Sequence, residues 1–417
     1  MDRRTFLRAG SAAAIGLAIE GCATRSNVAR PRRRLVTLVP VDVSWDRVIR
    51  TTTGLRPHRD SGFVVKAERL DDRTVIHNFG HGGAGMSLSW GTAHLAADLA
   101  MAHTERRAAV IGCGIVGLTS ARILQRRGFD VTIYAASLPP DTTSNMSLAA
   151  FTPTSGLVSD DHRTPEWDDQ FRRAVEIAYR EHQLLAGPRY GVSWIDDYSL
   201  TDSAVGGRGG RIGGGNAAGQ GLAGGLGAGG RGTGSLLPPS VTLGREVLEP
   251  GEHPFASRYA RRSPTMRFEP SIYLDALMRD VIAFGGRIVV RAFESPADFA
   301  SLPESLIVNC TGLGAKRLFG DEELVPVKGQ LTVLVPQSEV TYSLGTMLPR
   351  SDGVILGHVM DRGNWSLDVD EEERQRVVEY HIRLFSGMRA PDPGSRLAPP
   401  GAPASIPPVE SFFGRES

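Results

Sequence analysis

The sequence predicts an α/β fold built on a Rossmann-type dinucleotide-binding unit, with further strands interleaved around it. Three observations predict this. A buried-strand run at 108–111 passes through Gly112-Cys113-Gly114-Ile115-Val116-Gly117 into an apolar helix, and a second strand follows at 129–134. Strand-like runs flank that unit at 63–67 and 74–78, and again at 287–290, 305–309, 328–336 and 353–359. A chain of 417 residues, 41% hydrophobic and 22% charged, can fill two or three domains of roughly 100–200 residues.

The elements follow in order. Residues 1–26 read as an address rather than as fold. Arg3-Arg4 precede a weakly apolar stretch at 9–19, the pattern of a twin-arginine export signal, which implies the periplasm or the outer face of the cytoplasmic membrane. Ile19-Glu20-Gly21-Cys22 is similar to a lipoprotein cleavage box, although Glu20 is unusual there; a lipid anchor at Cys22 and plain cleavage nearby both stay open. A first segment, 27–103, holds a Val- and Leu-rich strand at 34–43, the strands at 63–67 and 74–78, and a small-faced helix at 85–103. A second, 104–203, holds the βαβ unit, its helix at 115–127, and a polar-faced helix at 166–185. Residues 204–235 are a Gly-rich insertion with almost no large side chains and cannot bury a core. Residues 236–388 carry a helix at 272–285, the later strands, and a charged amphipathic helix at 371–385; 389–417 is a Pro-rich tail. A net charge of +1 argues against nucleic acid as a partner, and three cysteines cannot form a disulfide framework. No apolar run reaches the ~18–20 residues of a membrane-spanning helix.

The fingerprint has a physical logic. Gly112 makes the tight turn, Gly114 lets backbone approach a pyrophosphate, and Gly117 lets the helix pack on the strand. The N–H groups of Ile115 and Val116 then face the phosphates at a helix N-terminus. The acid expected ~20 residues on, for the ribose, falls on Ala136, so Ser137, backbone or a remote group must hold that sugar. Cys113 is a packing residue rather than a nucleophile.

A second glycine run, His77-Asn78-Phe79-Gly80-His81-Gly82-Gly83-Ala84-Gly85-Met86-Ser87, opens a helix carrying Trp90-Gly91. With Gly54-Leu55-Arg56-Pro57, Asn309-Cys310-Thr311-Gly312 and Gly363-Asn364-Trp365-Ser366, it resembles the FAD-dependent D-amino-acid oxidase family over about residues 51–378. In that family the Gly-Leu-Arg-Pro and His-Asn-aromatic-Gly-His-Gly-Gly pieces close the chain. Here they precede the fingerprint, so the resemblance implies a circular permutation. A helix over 85–103, about 27 Å long at ~1.5 Å per residue, would carry the chain back across the sheet to the first nucleotide-binding strand. The implied fold is a Rossmann-type FAD-binding domain interleaved with a mixed-sheet substrate domain.

The resemblance also implies site residues. Arg56 matches the arginine that clamps a substrate carboxylate, Tyr342 a tyrosine on the same carboxylate, and Gly83 the carbonyl that takes the substrate amine. Gly82, Gly83, Ala84, Gly85, Met86 and Ser87 match the loop along the flavin ring. Thr142, Thr143, Ser144, Ala149 and Ala150 match the segment around phosphate and flavin, and Phe293 meets the adenine. His77 and His81 are not spaced as a metal site. Thr346 and Thr154 stand where the family has pocket aromatics, so the side-chain pocket is remodelled. The implied reaction is FAD-dependent oxidation of a D-amino acid to a 2-oxo acid, ammonia and peroxide, with oxygen as acceptor. The alternatives are the same chemistry on glycine or sarcosine, and an exported flavin-binding protein without turnover.

Overall fold

The computed structural model describes residues 35–154, 158, 160–202, 236–241, 244–357 and 359–391. The export signal with Cys22, the Gly-rich insertion and the tail beyond 391 lie outside the described residues.

Two sheets organise the molecule. The smaller has six strands in the order β2 (Val64–Leu70), β3 (Arg73–Phe79), β10 (Leu306–Asn309), β4 (Arg107–Ile111), β5 (Asp130–Ala135) and β9 (Arg287–Val290). From β3 to β9 every pairing is parallel, and β2 folds back antiparallel on β3. Parallel strands covered on both faces need continuous apolar runs, and Ala108, Ala109, Val110, Ile307 and Val308 are all fully buried. The larger sheet has nine strands: β1 (Val48–His58), β11 (Val325–Leu334), β14 (Gly353–Leu356), β13 (Met347–Arg350), β12 (Tyr342–Leu344), β6 (Val192–Thr201), β8 (Tyr259–Phe268) and β7 (Glu246–Leu248), with β15 (Asp361–Arg362) against β11. Its pairings are antiparallel except β12 with β6.

The helices are α1 (Gly85–Ala100), α2 (Ile115–Arg126), α3 (Pro165–Leu184), α4 (Pro270–Ala283), α5 (Gly314–Phe319) and α6 (Glu371–Ser386). Local chemistry starts them. The Thr164 hydroxyl accepts from Trp167 N at 3.2 Å with Pro165 in the first turn, and Asp370 accepts from Glu373 N at 3.0 Å. Leu88, Trp90, Leu118, Phe171, Tyr273 and Leu274 form part of one core cluster with α1, α2, α3 and α4. Inside it Trp90 Nε1 donates to the Tyr273 hydroxyl at 2.7 Å, which lies 3.2 Å from His182 Nδ1. An aromatic N–H and a phenol are thereby satisfied without water.

α1 joins β3 to β4, strands that flank β10 in parallel, so it runs back antiparallel to all three. Residues 48–103 therefore contribute β1 to the larger sheet and β2, β3 and α1 to the smaller, and form no domain apart. The strand expected at 34–43 is not formed: described residues 35–44 make no ladder. Pro40 removes a donor there, and Asp42 N donates to the Gln337 side chain instead.

Candidate active site

A cavity of about 760 Å³ is lined from both sheets, within the size range of cofactor sites. The dinucleotide turn forms one end. Gly112, Gly114, Ile115 and Val116 line it, at the N-terminus of α2. Gly112 has φ 113°, and a Cβ on it would lie 2.5 Å from Cys310 O, so this turn admits only glycine. A Cβ on Gly117 would lie 2.0 Å from Gly112 O; Gly117 closes the turn from within and is not in the lining. A Cβ on Gly114 meets only Ser144 Oγ, at 3.1 Å, leaving backbone open to the cavity. Ile115 N donates to that hydroxyl at 3.0 Å, which ties the helix start to the loop after β5.

Ser137, Thr142, Thr143 and Ser144 line the same end, beside Ala136. Phe293 lines it too, with the Arg291 guanidinium 4.7 Å from its ring centre. Arg291, Arg317 and Asp141 were not anticipated in this wall. Burial pushes the Cys113 thiol up to about 12, which suits packing and not nucleophilic chemistry.

The second glycine run and Arg56 share this lining, and a Cβ on Gly85 would lie 3.8 Å from Ile115 Cγ2. Gly82, Gly83, Gly85 and Met86 line the cavity where α1 begins. Gly80 and Gly82 have φ 83° and 54°, and Gly82 N donates to Pro57 O at 2.8 Å, so the loop is pinned beside the segment that carries Arg56. Ala84 and Ser87 do not line the cavity. Ala84 is fully buried and accepts the first helical bonds, while Ser87 Oγ accepts from Thr152 N at 2.7 Å. Ala149 and Ala150 also line the cavity; Ala149 has φ 67°, a left-handed conformation costing an L-residue about 1–2 kcal/mol. The bond from Phe268 N to Ala149 O, 2.8 Å, holds it there.

Arg56 projects from β1 into the lining. Its Nη1 donates to Val359 O at 3.2 Å, and among the described residues no carboxylate pairs with it. Desolvation lowers its pKa to about 10, so it stays a cation at neutral pH.

Tyr342 does not converge on Arg56, which corrects the expectation from the sequence. Its hydroxyl donates to Val39 O at 2.9 Å, its ring packs edge-on against Tyr198, and it is absent from the lining. Successive strand residues face opposite sides, and the neighbour Ser343 bonds Asp197 instead. Thr346 does line the cavity, whereas Thr154 is buried outside it. Leu148, Gly329, Leu331 and Met360 are also in the lining. Gly329 and Leu331 lie on a strand the sequence predicted; period-2 alternation from a known wall residue is the signal that finds them.

His77 and His81 both have hydrogen-bonding partners, and His81 also lines the cavity. Asn309 Nδ2 and His77 Nδ1 are 3.0 Å apart, joining two of the motifs, and His81 Nε2 lies 2.9 Å from Thr92 Oγ1.

The sequence profile of the FAD dependent oxidoreductase (DAO) family matches residues 4–99 and 107–398. The chain belongs to this DAO family. FAD is accordingly its cofactor, and the cavity suits it: a glycine turn at a helix N-terminus for the phosphates, and a second glycine-lined helix start for the ring. Among DAO relatives, a D-amino-acid oxidase of Rubrobacter xylanophilus is 26% identical over 291 residues, 68% of this chain and 78% of that protein. A human D-aspartate oxidase is 26% identical over 315 residues, 70% of this chain and 83% of its own. The solved glycine oxidase of Geobacillus kaustophilus aligns with a TM-score of 0.48 at 14% identity, covering 69% of this chain and 81% of that one.

Proposed function

We propose that this chain is an exported oxidase that converts a D-amino acid to a 2-oxo acid, ammonia and hydrogen peroxide. The observation that carries the reading is Arg56: a cation in the wall of the FAD cavity, without an acid of its own among the described residues, beside the glycine loop. A recessed, unpaired cation favours an anionic ligand, and a planar fork suits a carboxylate. The relatives named D-amino-acid oxidase and D-aspartate oxidase support the substrate class.

In this reading Arg56 binds and orients the carboxylate. The Gly83 carbonyl accepts from the amine, which enters neutral. The first N–H groups of α1 would favour negative charge on a flavin ring held in this part of the lining. Bound FAD would supply the two-electron oxidation, with oxygen as the final acceptor. Leu148, Leu331 and Met360 supply the apolar wall, and no side-chain base is needed. Water then splits the imino acid. A glycine or sarcosine oxidase is the second reading, favoured by the small Thr346 in the lining.

The same proposal includes a circular permutation and twin-arginine export, with Cys22 as a lipid-anchor site. Support for the permutation is the β3–α1–β4 connection and the break in the family match between 99 and 107. The two ends of the described chain also meet: the Tyr342 hydroxyl bonds Val39 O and lies 3.6 Å from Met388 Sδ. Export rests on Arg3-Arg4 and the stretch after them. The test is peroxide release by FAD-loaded protein, and by periplasmic and cytoplasmic fractions, on D-amino acids, glycine and sarcosine. Turnover confined to glycine and sarcosine favours the second reading. No turnover on any of them, or activity confined to the cytoplasm, contradicts the corresponding part.

A further inference from the structure

We propose that Gly329 is a positioning residue: the gap it leaves in β11 is the seat of the Arg56 guanidinium, and any side chain there unseats the clamp. This rests on the role proposed above for Arg56. In the β1–β11 ladder Gly54 faces Gly329 and Arg56 faces Val327. Arg56 is two residues from Gly54, so its side chain leaves the same face of the sheet and lies back over Gly329. A Cβ built on Gly329 would be 2.6 Å from Arg56 Nη1, and 2.8 Å from both Cζ and Nη2. The guanidinium plane thus occupies the space a side chain would take.

The three atoms nearest to that Cβ all belong to Arg56, and Gly329 also lines the cavity. Its φ lies outside the left-handed region, and its backbone pairs as an ordinary strand residue. It is the only glycine in the run Val-Pro-Val-Lys-Gly-Gln-Leu-Thr-Val-Leu of β11, where a glycine weakens the strand unless something approaches closely. The approaching group is the flexible end of Arg56, which can move aside without disturbing the ladder. Among the described residues Arg56 has one hydrogen bond to hold it, Nη1 to Val359 O at 3.2 Å. Shape at Gly329 and the Val359 carbonyl together therefore set where the fork points.

The experiment is Gly329→Ala in the wild-type and Arg56→Ala backgrounds, all loaded with FAD. Propionate is the probe carboxylate, its Kd read from the perturbed flavin spectrum alongside FAD content and the melting temperature. The expected result is unchanged FAD content and melting, with propionate Kd and KM raised at least about tenfold, since displacement of about 1 Å can cost up to ~100-fold. In the Arg56→Ala background the second substitution adds nothing further. Wild-type Kd and KM in Gly329→Ala overturn the proposal, and so does an equal loss in both backgrounds, which is the signature of a structural role. Propionate binding without turnover of any substrate overturns the proposed reaction alone. Wild-type protein that binds no propionate overturns clamp and seat together.

Discussion

At the scale of residues, the site depends on which face of a strand each side chain leaves. Arg56 and Gly83 are brought side by side because Gly82 N bonds Pro57 O, joining two motifs that are 25 residues apart in the chain. The glycine run was legible because glycine alone suits such turns, whereas Arg56, which by itself reads as a surface arginine before a proline, was singled out only by the resemblance to the D-amino-acid oxidase family. Tyr342 was misplaced, because the resemblance assigns a position along the strand but not the face its side chain leaves. Its buried hydroxyl, bonded to Val39 O, holds the start of the described chain. Tyr342→Phe should therefore leave propionate binding and KM unchanged while costing about 1 kcal/mol of stability, read from a urea midpoint. A KM that rises together with the propionate Kd would return this hydroxyl to the substrate. Gly329 and Met360 escaped notice for another reason: a wall residue without distinctive chemistry is recognised only once its neighbours are placed.

Among the elements, the βαβ unit, α1, α4 and α6 were legible because their apolar periodicity and glycine punctuation agree. The strands β1, β6 and β8 were not. Thr-rich β1, Asp196-Asp197 in β6 and Arg261-Arg262-Ser263-Pro264 in β8 read as polar surface, and their ladder with distant partners makes them strands. The reverse error was 34–43, apolar enough for a strand but without a partner edge. α1 carries a further constraint. Gly91 sits where α1 crosses α3, and a Cβ there would lie 1.9 Å from Ala174 O. That contact is with backbone, so neither helix can relieve it by a rotamer change. Gly91→Ala should destabilise by 3 kcal/mol or more, at or beyond the roughly 1–3 kcal/mol typical of overpacking, and should loosen FAD, because α1 begins in the cavity lining. A variant with wild-type urea midpoint and FAD affinity would show that the two helices are not locked here.

For the whole molecule, stability should depend on pH through histidines sealed in its interior. Burial pushes His81 down to about 3, and His182 and His381 down to about 4. Unfolded, each titrates near 6.5. As pH falls from 6.5 toward 4 the unfolded chain gains protons that the folded chain cannot, so stability is lost at up to about 1.4 kcal/mol per pH unit for each histidine. Asp197, pushed up to about 7 by burial, acts with the opposite sign over that window, one group against three. The urea midpoint should therefore drop between pH 7 and 4.5; a flat or rising midpoint would mean these rings are not held neutral. The two sheets, the FAD cavity between them and the family were legible in sequence, whereas the far wall of the cavity depends on register that only the assembled sheet provides. The proposal that unites these scales is a substrate carboxylate held by Arg56 in the wall of the FAD cavity. The most direct measurement is kcat/KM for peroxide release by wild-type, Arg56→Ala and Arg56→Lys protein, each with its FAD content, on every accepted amino acid. Arg56→Ala should lose roughly 2–4 kcal/mol of transition-state stabilisation with FAD retained, and Arg56→Lys should recover only part because an ammonium lacks the fork. Full activity of Arg56→Ala on every accepted substrate would contradict the account.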